Sequence, residues 1–242
     1  YVEDALQINE RARNRVVGLT FETRPDWCRR HHIERMLNFQ ATRVELGVQN
    51  LYDFIYKRVE RGHTVRDVVT ATKDLKDAGL KVGYHMMPGL PGSDFERDLK
   101  AFKRLFSDPQ FRPDMLKVYP CQVLEDTVLY ELYRKGDYQP YSEEDLISLL
   151  VEILKILPKY VRIMRIGRDI PSPLIVAGMK KTNLGQIIEK RLADAGITCQ
   201  CIRCREVGRN ILRGVYPDFD AITLVGEEYE ASSGKEVFLS FE

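Results

Sequence analysis

Three cysteines lie within six residues of one another, at Cys199, Cys201 and Cys204. Thiolates this close can converge on one soft cation, and zinc, which prefers four tetrahedral ligands, would need a fourth donor from elsewhere. Cys121, a histidine or water could supply it. The flanking Arg203 and Arg205 favour the thiolate form, which oxidises easily when no metal binds it. The spacing predicts a metal site, and zinc is favoured over an iron–sulfur cluster or three unligated thiols.

Polar and glycine-rich segments follow three predicted strands, at residues 22–26, 47–50 and 85–92. In parallel α/β folds the ligand site lies at the carboxyl ends of the strands. The glycines and prolines of the third segment indicate a rigid turn that a ligand can approach closely. Asp26 and Asn50 could instead be ordinary helix caps. Three such segments at matching positions favour one shared ligand site.

The charges of the chain are unevenly distributed. Lys and Arg number 37 against 36 Asp and Glu, a net charge of +1, which excludes a chain that is basic or acidic throughout. Residues 155–213 nevertheless hold 13 basic and 4 acidic residues, a net of +9, and residues 214–242 hold 1 and 7, a net of −6. A block this basic suits a phosphate backbone, and a solvated face paired with acids from elsewhere is the alternative. The block has few aromatic residues, so base stacking is not indicated.

The elements that must position these groups follow a regular rhythm. Strands are predicted near residues 16–21, 43–48, 80–87 and 115–119, separated by amphipathic helical segments. This is the pattern of βα units in a parallel sheet or barrel. Four units are too few for an eight-stranded barrel, so we expect the missing strands to precede Tyr1. The chain lacks an initiator Met and ends within a predicted strand, and we expect it to be the central part of a longer protein.

After Pro120 the rhythm changes. Ser142 is predicted to cap a long helix, and residues 161–166 form an alternating strand with two arginines on its polar side. A helix is predicted near residues 183–195. The acidic tail from Ala221 reads as a hairpin whose turn lies at residues 232–234.

Several classes of protein have no support in the sequence. No apolar stretch approaches the roughly 18 residues of a membrane helix, and no signal peptide is evident, so a cytoplasmic location is the default prediction. Five cysteines, three of them clustered, argue against a disulfide framework. No serine-hydrolase, zinc-protease or Walker motif is present. His31 and His32 fall on different faces of a helix and are predicted to be solvated.

Taken together, the motifs resemble the catalytic subunit of Elongator and its archaeal and bacterial relatives, tRNA uridine carboxymethyltransferases of the radical SAM superfamily. The resemblance covers essentially the whole chain, and as a set its motifs are highly specific. The matching runs are residues 18–26, 44–50, 85–92, 119–121, 168–171, 199–208 and 229–242.

The resemblance implies an α/β fold with a partial (β/α) barrel of the radical SAM type that lacks its N-terminal strands. A zinc-binding linker and the first hairpin of an acetyltransferase-like domain would follow. Residues 1–135 would be the C-terminal portion of the barrel, and residues 136–210 a helical, basic extension with the zinc-binding loop. Residues 211–242 would begin the truncated acetyltransferase-like domain.

The resemblance also implies site residues. The S-adenosylmethionine site would be lined by Glu22, Arg24, Gln49, Asn50, His85, Pro88 and Gly89. Zinc would be held by Cys199, Cys201 and Cys204. The tRNA would be bound by Arg162, Arg165, Arg168, Lys180, Lys181, Arg203, Arg205 and Arg209. The resemblance assigns no catalytic residue.

The implied reaction makes 5-carboxymethyluridine at the wobble uridine of tRNA. A [4Fe-4S] cluster cleaves S-adenosylmethionine to a radical that activates the methyl group of acetyl-CoA, and thioester hydrolysis follows addition to the base. The chain lacks the cluster's cysteine triad and most of an acetyl-CoA site, so we expect this segment alone to be inactive. The alternative is a non-catalytic, zinc-bearing tRNA-binding module. The expected partners are tRNA and acetyl-CoA without a membrane, and self-association or Elongator-like subunits are further possibilities.

Overall fold

The computed structural model describes all residues from Tyr1 to Glu242. The strands are β1 (Thr20–Thr23), β2 (Arg43–Gln49), β3 (Lys81–Met86), β4 (Met115–Val118), β5 (Val123–Leu124), β6 (Arg162–Ile166), β7 (Ile175–Ala177), β8 (Leu224–Ala231) and β9 (Gly234–Phe241). The helices are α1 (Val2–Arg11), α2 (Arg30–Asn38), α3 (Asp53–Arg58), α4 (Val65–Asp77), α5 (Phe95–Ser107), α6 (Val128–Lys135), α7 (Glu143–Lys155), α8 (Leu184–Asp194), α9 (Ile202–Arg205) and α10 (Val207–Leu212). Short 3₁₀ turns span Pro25–Trp27 and Ser172–Leu174.

Five strands form one parallel sheet in the order β1, β2, β3, β4, β6. The first four correspond to the predicted βα units. The strand predicted at residues 161–166 was expected to lie outside that repeat, but it pairs in parallel with β4 as the fifth strand. The sheet therefore extends past residue 135, where the barrel portion was expected to end. The predicted domain boundaries at residues 135 and 210 stay predictions.

Local differences from the predictions lie near the start of the chain. The first strand begins at Thr20, about four residues later than predicted, and a 3₁₀ turn precedes α2 because Pro25 starts it. Helix α1 was not predicted, since its apolar side chains are few and none is buried. The helix cap predicted at Ser142 is confirmed, because the Ser142 side chain accepts a hydrogen bond from the backbone N–H of Asp145.

The two faces of the sheet differ in character because successive residues of a strand point to opposite sides. On one face Val44, Leu46 and Val48 of β2 are fully buried and belong to the main apolar core with residues of α2, α4, α5, α7 and α8. Burying one such side chain contributes about 1.5–3 kcal/mol relative to leaving it exposed. The opposite face of the same strands carries Glu45 and His85. The helices thus cover one face and leave the polar side chains on the other.

Smaller elements protect the rest of the sheet. The backbone N–H of Ile202 donates to the carbonyl of Val161 at 2.9 Å, so the cysteine segment lies along the free edge of β6. The antiparallel hairpin of β8 and β9 turns at Ser232 and Ser233, as predicted, and packs on the domain through a stack of Tyr229 on Tyr160 with ring centroids 3.9 Å apart. No helix is both long enough and apolar enough to span a membrane.

Candidate functional site

Charged side chains from β1, β2 and β3 meet on the polar face of the sheet. The ligand atoms of Glu22, Glu45 and His85 all lie within 4.8 Å of one another. His85 Nδ1 is 3.3 Å from a Glu22 carboxylate oxygen, and His85 Nε2 is 2.8 Å from Glu45 Oε2. Lys117 of β4 donates to the same oxygen of Glu45. We call Glu22, Glu45, His85 and Lys117 the polar-face cluster.

The sequence predicted Glu22 and His85 as site residues but missed Glu45 and Lys117. Both missed residues stand inside otherwise apolar strands, at positions that alternate with buried residues. That alternation was the available signal, because a charged residue there belongs to the face opposite the helices. Parallel register places Glu45 beside Glu22 and Lys117 beside His85.

The cluster holds a fixed pattern of charge. The hydrogen bond from His85, together with the hydrogen bond from Lys117, lowers the pKa of Glu45 to about 2. Glu45 and His85 are both buried, whereas Glu22 is exposed. Both ring nitrogens of His85 face carboxylates, which favours an oriented ring. The arrangement can orient the polar groups of a bound ligand.

The segments after β2 and β3 are linked through a buried carboxylate. Asn50 Nδ2 donates to Asp98 Oδ1 at 3.2 Å, and the backbone N–H of Gly89 donates to Asp98 Oδ2 at 2.7 Å. Gly89 has a φ of +83°, which only glycine adopts readily, and neighbouring Pro88 is buried. Gln49, also at positive φ, accepts from the backbone N–H of Met87 through its carbonyl at 2.7 Å. The predicted site residues after β2, Gln49 and Asn50, therefore lie close in space to those after β3, Pro88 and Gly89.

Two guanidinium groups lie beside the end of β2. Arg24 pairs with Asp26, and Arg61 Nη2 donates to the carbonyl of Gly47 at 3.0 Å. Burial, and then the charge of Arg24, lowers the pKa of Arg61. A Cβ atom at Gly47 would lie 2.5 Å from Arg61 Nη2, so a side chain there would displace the tip of the Arg61 guanidinium. The sequence predicted Arg24 as a site residue but not Arg61. Arg61 reaches the site only because the chain folds back and brings it against Gly47 of β2.

Neither Asp26 nor Asn50 is the helix cap that the sequence allowed as an alternative. Asp26 lies in the first 3₁₀ turn and pairs with Arg24, which precedes that turn. The N-cap position of α3 is held by Tyr52, not by Asn50. Asn50 is almost fully buried and its amide holds Asp98 instead.

The three clustered cysteines lie together at the edge of β6. Their sulfur atoms are within 4.8 Å of one another, with Cys199 and Cys201 buried and Cys204 half-buried. Hydrogen bonds with the Cys199 and Cys204 thiols lower the pKa of Cys201. Three converging soft donors fit a single zinc ion.

The structure narrows the predicted choices for a fourth donor. Cys121 lies in a separate apolar cluster with Ile55, Leu90, Val123 and Tyr138, so the suggestion that it completes the metal site is wrong. None of the four histidines joins the cysteines either. Water remains from the predicted set.

Most of the predicted tRNA-binding side chains already face a carboxylate. The pairs are Arg162 with Glu206, Arg165 with Asp169, Lys181 with Glu143, Arg205 with Glu242 and Arg209 with Glu189. The other three have no carboxylate within salt-bridge distance: Arg168 lies over the Tyr119 ring, Lys180 is exposed and Arg203 donates to a backbone carbonyl. The net charge of +9 already subtracts Asp169, Glu189 and Glu206, whereas Glu143 and Glu242 lie outside residues 155–213 and neutralise further cations of that block.

A parallel α/β sheet with polar groups gathered at its strand ends is typical of a ligand-binding domain. Comparison with family models identifies the family to which this domain belongs. The model of the radical SAM superfamily matches residues 1–105, and that of the radical SAM C-terminal domain matches residues 113–194. The chain is a radical SAM protein, which confirms the predicted fold class.

Individual relatives specify the family further. The tRNA uridine(34) acetyltransferase of Methanocaldococcus jannaschii is 53% identical over the whole chain, which covers 45% of that relative. Elongator complex protein 3 of Saccharomyces cerevisiae is 43% identical, again over the whole chain and 43% of the relative. A solved structure of Methanocaldococcus infernus Elp3 with an N-terminal deletion superposes with a TM-score of 0.96 at 53% identity, covering 99% of this chain and 57% of that one. The chain belongs to the Elongator protein 3 family, and it spans about half the length of the curated relatives it matches.

We expect Glu45→Gln to destabilise the fold by about 1–3 kcal/mol at pH 7, because it removes charge-assisted hydrogen bonds within a buried cluster. The pKa of Glu45 falls from 4.5 to about 2 on folding. Its contribution is therefore present above pH 4.5 and lost as the pH falls towards 2. Urea unfolding of wild type and variant between pH 7 and pH 3 should show a difference that shrinks below pH 4.5. Glu34→Gln, on the exposed side of α2, serves as the control, and an equal effect of both variants would contradict the role of the cluster.

Proposed function

We propose that this chain is the central part of an enzyme that makes 5-carboxymethyluridine at the wobble uridine of tRNA, from acetyl-CoA and by S-adenosylmethionine radical chemistry. The observation that carries the proposal is the convergence of Glu22, Glu45 and His85 on the polar face of a radical SAM sheet. Relatives named for tRNA uridine(34) modification support the choice of substrate.

The residues at the strand ends suit S-adenosylmethionine, a ligand with a carboxylate, an amine and a ribose. Arg24 and Arg61 have only Asp26 between them as a counter-charge, so a ligand carboxylate would complete the local charge balance. Glu22 is an exposed acceptor suited to an amine or a hydroxyl group. His85 and Glu45 would form the buried floor beneath the ligand and exclude water.

An iron–sulfur cluster, when bound, supplies the electron that cleaves S-adenosylmethionine to the radical used on the acetyl-CoA methyl group. We assign its ligands to residues outside this chain. Cys28 and Cys121 are each buried singly among apolar side chains, and burial raises the pKa of Cys28 to about 12. Thiols of that kind are poor ligands, because a metal binds the thiolate. We also assign residues 211–242 to the start of an acetyltransferase-like domain that would bring acetyl-CoA.

The test of the proposed reaction is a product assay on the complete cluster-loaded protein. Under reducing conditions with tRNA, S-adenosylmethionine and acetyl-CoA, we expect nucleoside mass spectrometry to detect 5-carboxymethyluridine. Omitting acetyl-CoA should remove the product, because acetyl-CoA is the proposed source of the added carbons. A protein that binds tRNA but yields neither this product nor 5′-deoxyadenosine would instead be the non-catalytic binding module.

The proposed tRNA surface comprises the eight basic residues predicted from the sequence, with unequal contributions. A cavity of about 240 Å³ beyond the end of β6 is lined by Arg165, Arg168 and Lys181. Arg165 and Lys181 are partly neutralised by Asp169 and Glu143, whereas Arg168 is not. We therefore propose that Arg168, Lys180 and Arg203 supply most of the attraction for phosphate.

We expect the triple variant Arg168→Ala/Lys180→Ala/Arg203→Ala to weaken tRNA binding and to lower the slope of log K against log salt by about 2, since each phosphate contact contributes roughly 0.7–0.9. Fluorescence anisotropy across a salt series measures both quantities. The charge-matched control Arg30→Ala/Lys73→Ala/Lys235→Ala removes exposed cations from α2, α4 and β9 and should leave the slope unchanged. Equal slopes for all three proteins would remove this face from the proposal.

The proposed zinc site rests on the three convergent sulfur donors alone. We expect about one zinc ion per wild-type chain and a large loss in Cys201→Ser, because an alcohol is a poor replacement for a thiolate ligand. Elemental analysis after dialysis against a weak chelator measures the content. Cys121→Ala, which removes a thiol outside the triad, should retain its zinc. Zinc retained in Cys201→Ser, or iron found in its place, would contradict the assignment.

A further inference from the structure

Asp98, the buried carboxylate that links the segments after β2 and β3, has no part in the proposed function as described so far. It lies in the first turn of α5 and is only 1% exposed, although Asp is almost never fully buried without partners. The first turn does not need it as a cap, because the N-cap residue Asp94 already accepts from the backbone N–H of Arg97 at 2.8 Å. The carboxylate of Asp98 therefore has another purpose.

The two oxygens of Asp98 accept four hydrogen bonds from three parts of the chain, since Gly89 and Ser93 share the loop after β3. Oδ2 accepts from the backbone N–H of Gly89 and from the Tyr141 hydroxyl, each at 2.7 Å. Oδ1 accepts from the Ser93 hydroxyl at 2.6 Å and from the Asn50 amide at 3.2 Å. Burial raises the pKa of Asp98, and these four donors act in the opposite direction. A carboxylate is the only common side chain that accepts from four donors with no donor of its own.

Both the backbone N–H and the backbone carbonyl of Gly89 are hydrogen-bonded to side chains. Its N–H is bound by Asp98, and its carbonyl accepts from the Tyr138 hydroxyl at 2.7 Å. A Cβ atom at this position would lie 3.2 Å from the Tyr141 ring. Gly89 thus has no free backbone donor for a ligand, and it serves the site by fixing the path of the loop after β3.

We propose that Asp98 is a positioning residue that locks the segment after β2, through Asn50, to the loop after β3, through Gly89, and so sets the width of the S-adenosylmethionine site. The inference rests on the proposed function, since both segments belong to that site. Asp98 contacts no ligand itself. Because the two segments come from different βα units, a single carboxylate that joins them controls their separation.

The test compares Asp98→Asn with Asp114→Asn in the complete protein. Asp114 is also a buried carboxylate that accepts from a backbone N–H, that of Val82 at 2.8 Å, but Asp114 directly precedes β4 and its carboxylate lies at the amino end of β3. In Asp98→Asn an NH₂ group replaces one of the two acceptor oxygens and faces two donors, so hydrogen bonds to this side chain are lost. We therefore expect hydrogen exchange at the backbone N–H of Gly89 to accelerate by about tenfold or more. We expect the dissociation constant for S-adenosylmethionine, measured by calorimetry on cluster-loaded protein, to rise about tenfold. Asp114→Asn should change neither quantity.

Milder variants keep the inference falsifiable if Asp98→Asn does not fold. Tyr141→Phe and Ser93→Ala each remove one of the four donors, and each should give a smaller change of the same sign at Gly89. Unchanged exchange at Gly89 in these variants, or equal loss of protection in Asp114→Asn, would overturn the positioning role. A different pair of results would separate the two proposals. If exchange at Gly89 is fast in Asp98→Asn but the wild-type protein does not bind S-adenosylmethionine, Asp98 still positions the two segments and the proposed function is overturned instead.

Discussion

Parallel pairing of β1 to β4 is the constraint on which the candidate site depends. Parallel neighbours need crossover connections, so each helix returns the chain to the same edge of the sheet and each strand ends on the same side. In-register pairing then sets Glu22 beside Glu45 and His85 beside Lys117. Residues far apart in sequence form one cluster because the backbone ladder fixes their separation. The glycines and prolines after β3 complete the edge by turning the chain sharply there.

The same ladder makes the register of β2 critical. A slip of one residue would turn Glu45 towards the helices and Leu46 towards the polar face. That exchange would bury a charge among apolar side chains, which costs several kcal/mol unless a partner is present. In the native register Glu45 is buried but paired with both His85 and Lys117. The apolar core and the polar-face cluster therefore specify one register jointly, and the site is part of what defines the fold.

The sequence predicts the features that depend on local pattern and misses those that depend on distant contacts. The turn at Ser232, the cap at Ser142 and the existence of all five sheet strands follow from short-range spacing. The pairing of β6 with β4 does not, because two helices and a short strand separate the two strands and the spacing of the first four βα units does not continue there. The exclusion of Cys121 from the cysteine triad has the same origin, since its position is set by packing against Ile55 and Leu90.

Net charge illustrates the same limit in electrostatic terms. A sum over residues 155–213 counts charges without their neighbours, and the field that reaches a polyanion depends on which cations already face an acid. Four of the neutralising acids come from outside that block: Glu143, Glu144 and Glu152 belong to α7, and Glu242 follows the hairpin strand β9. Glu242 reaches both Lys159 and Arg205, so the C-terminal residue neutralises cations from both ends of residues 155–213. The cations without carboxylate partners are consequently selected by the tertiary fold, and residues such as Arg168 and Arg203 gain importance that their sequence neighbourhood does not reveal.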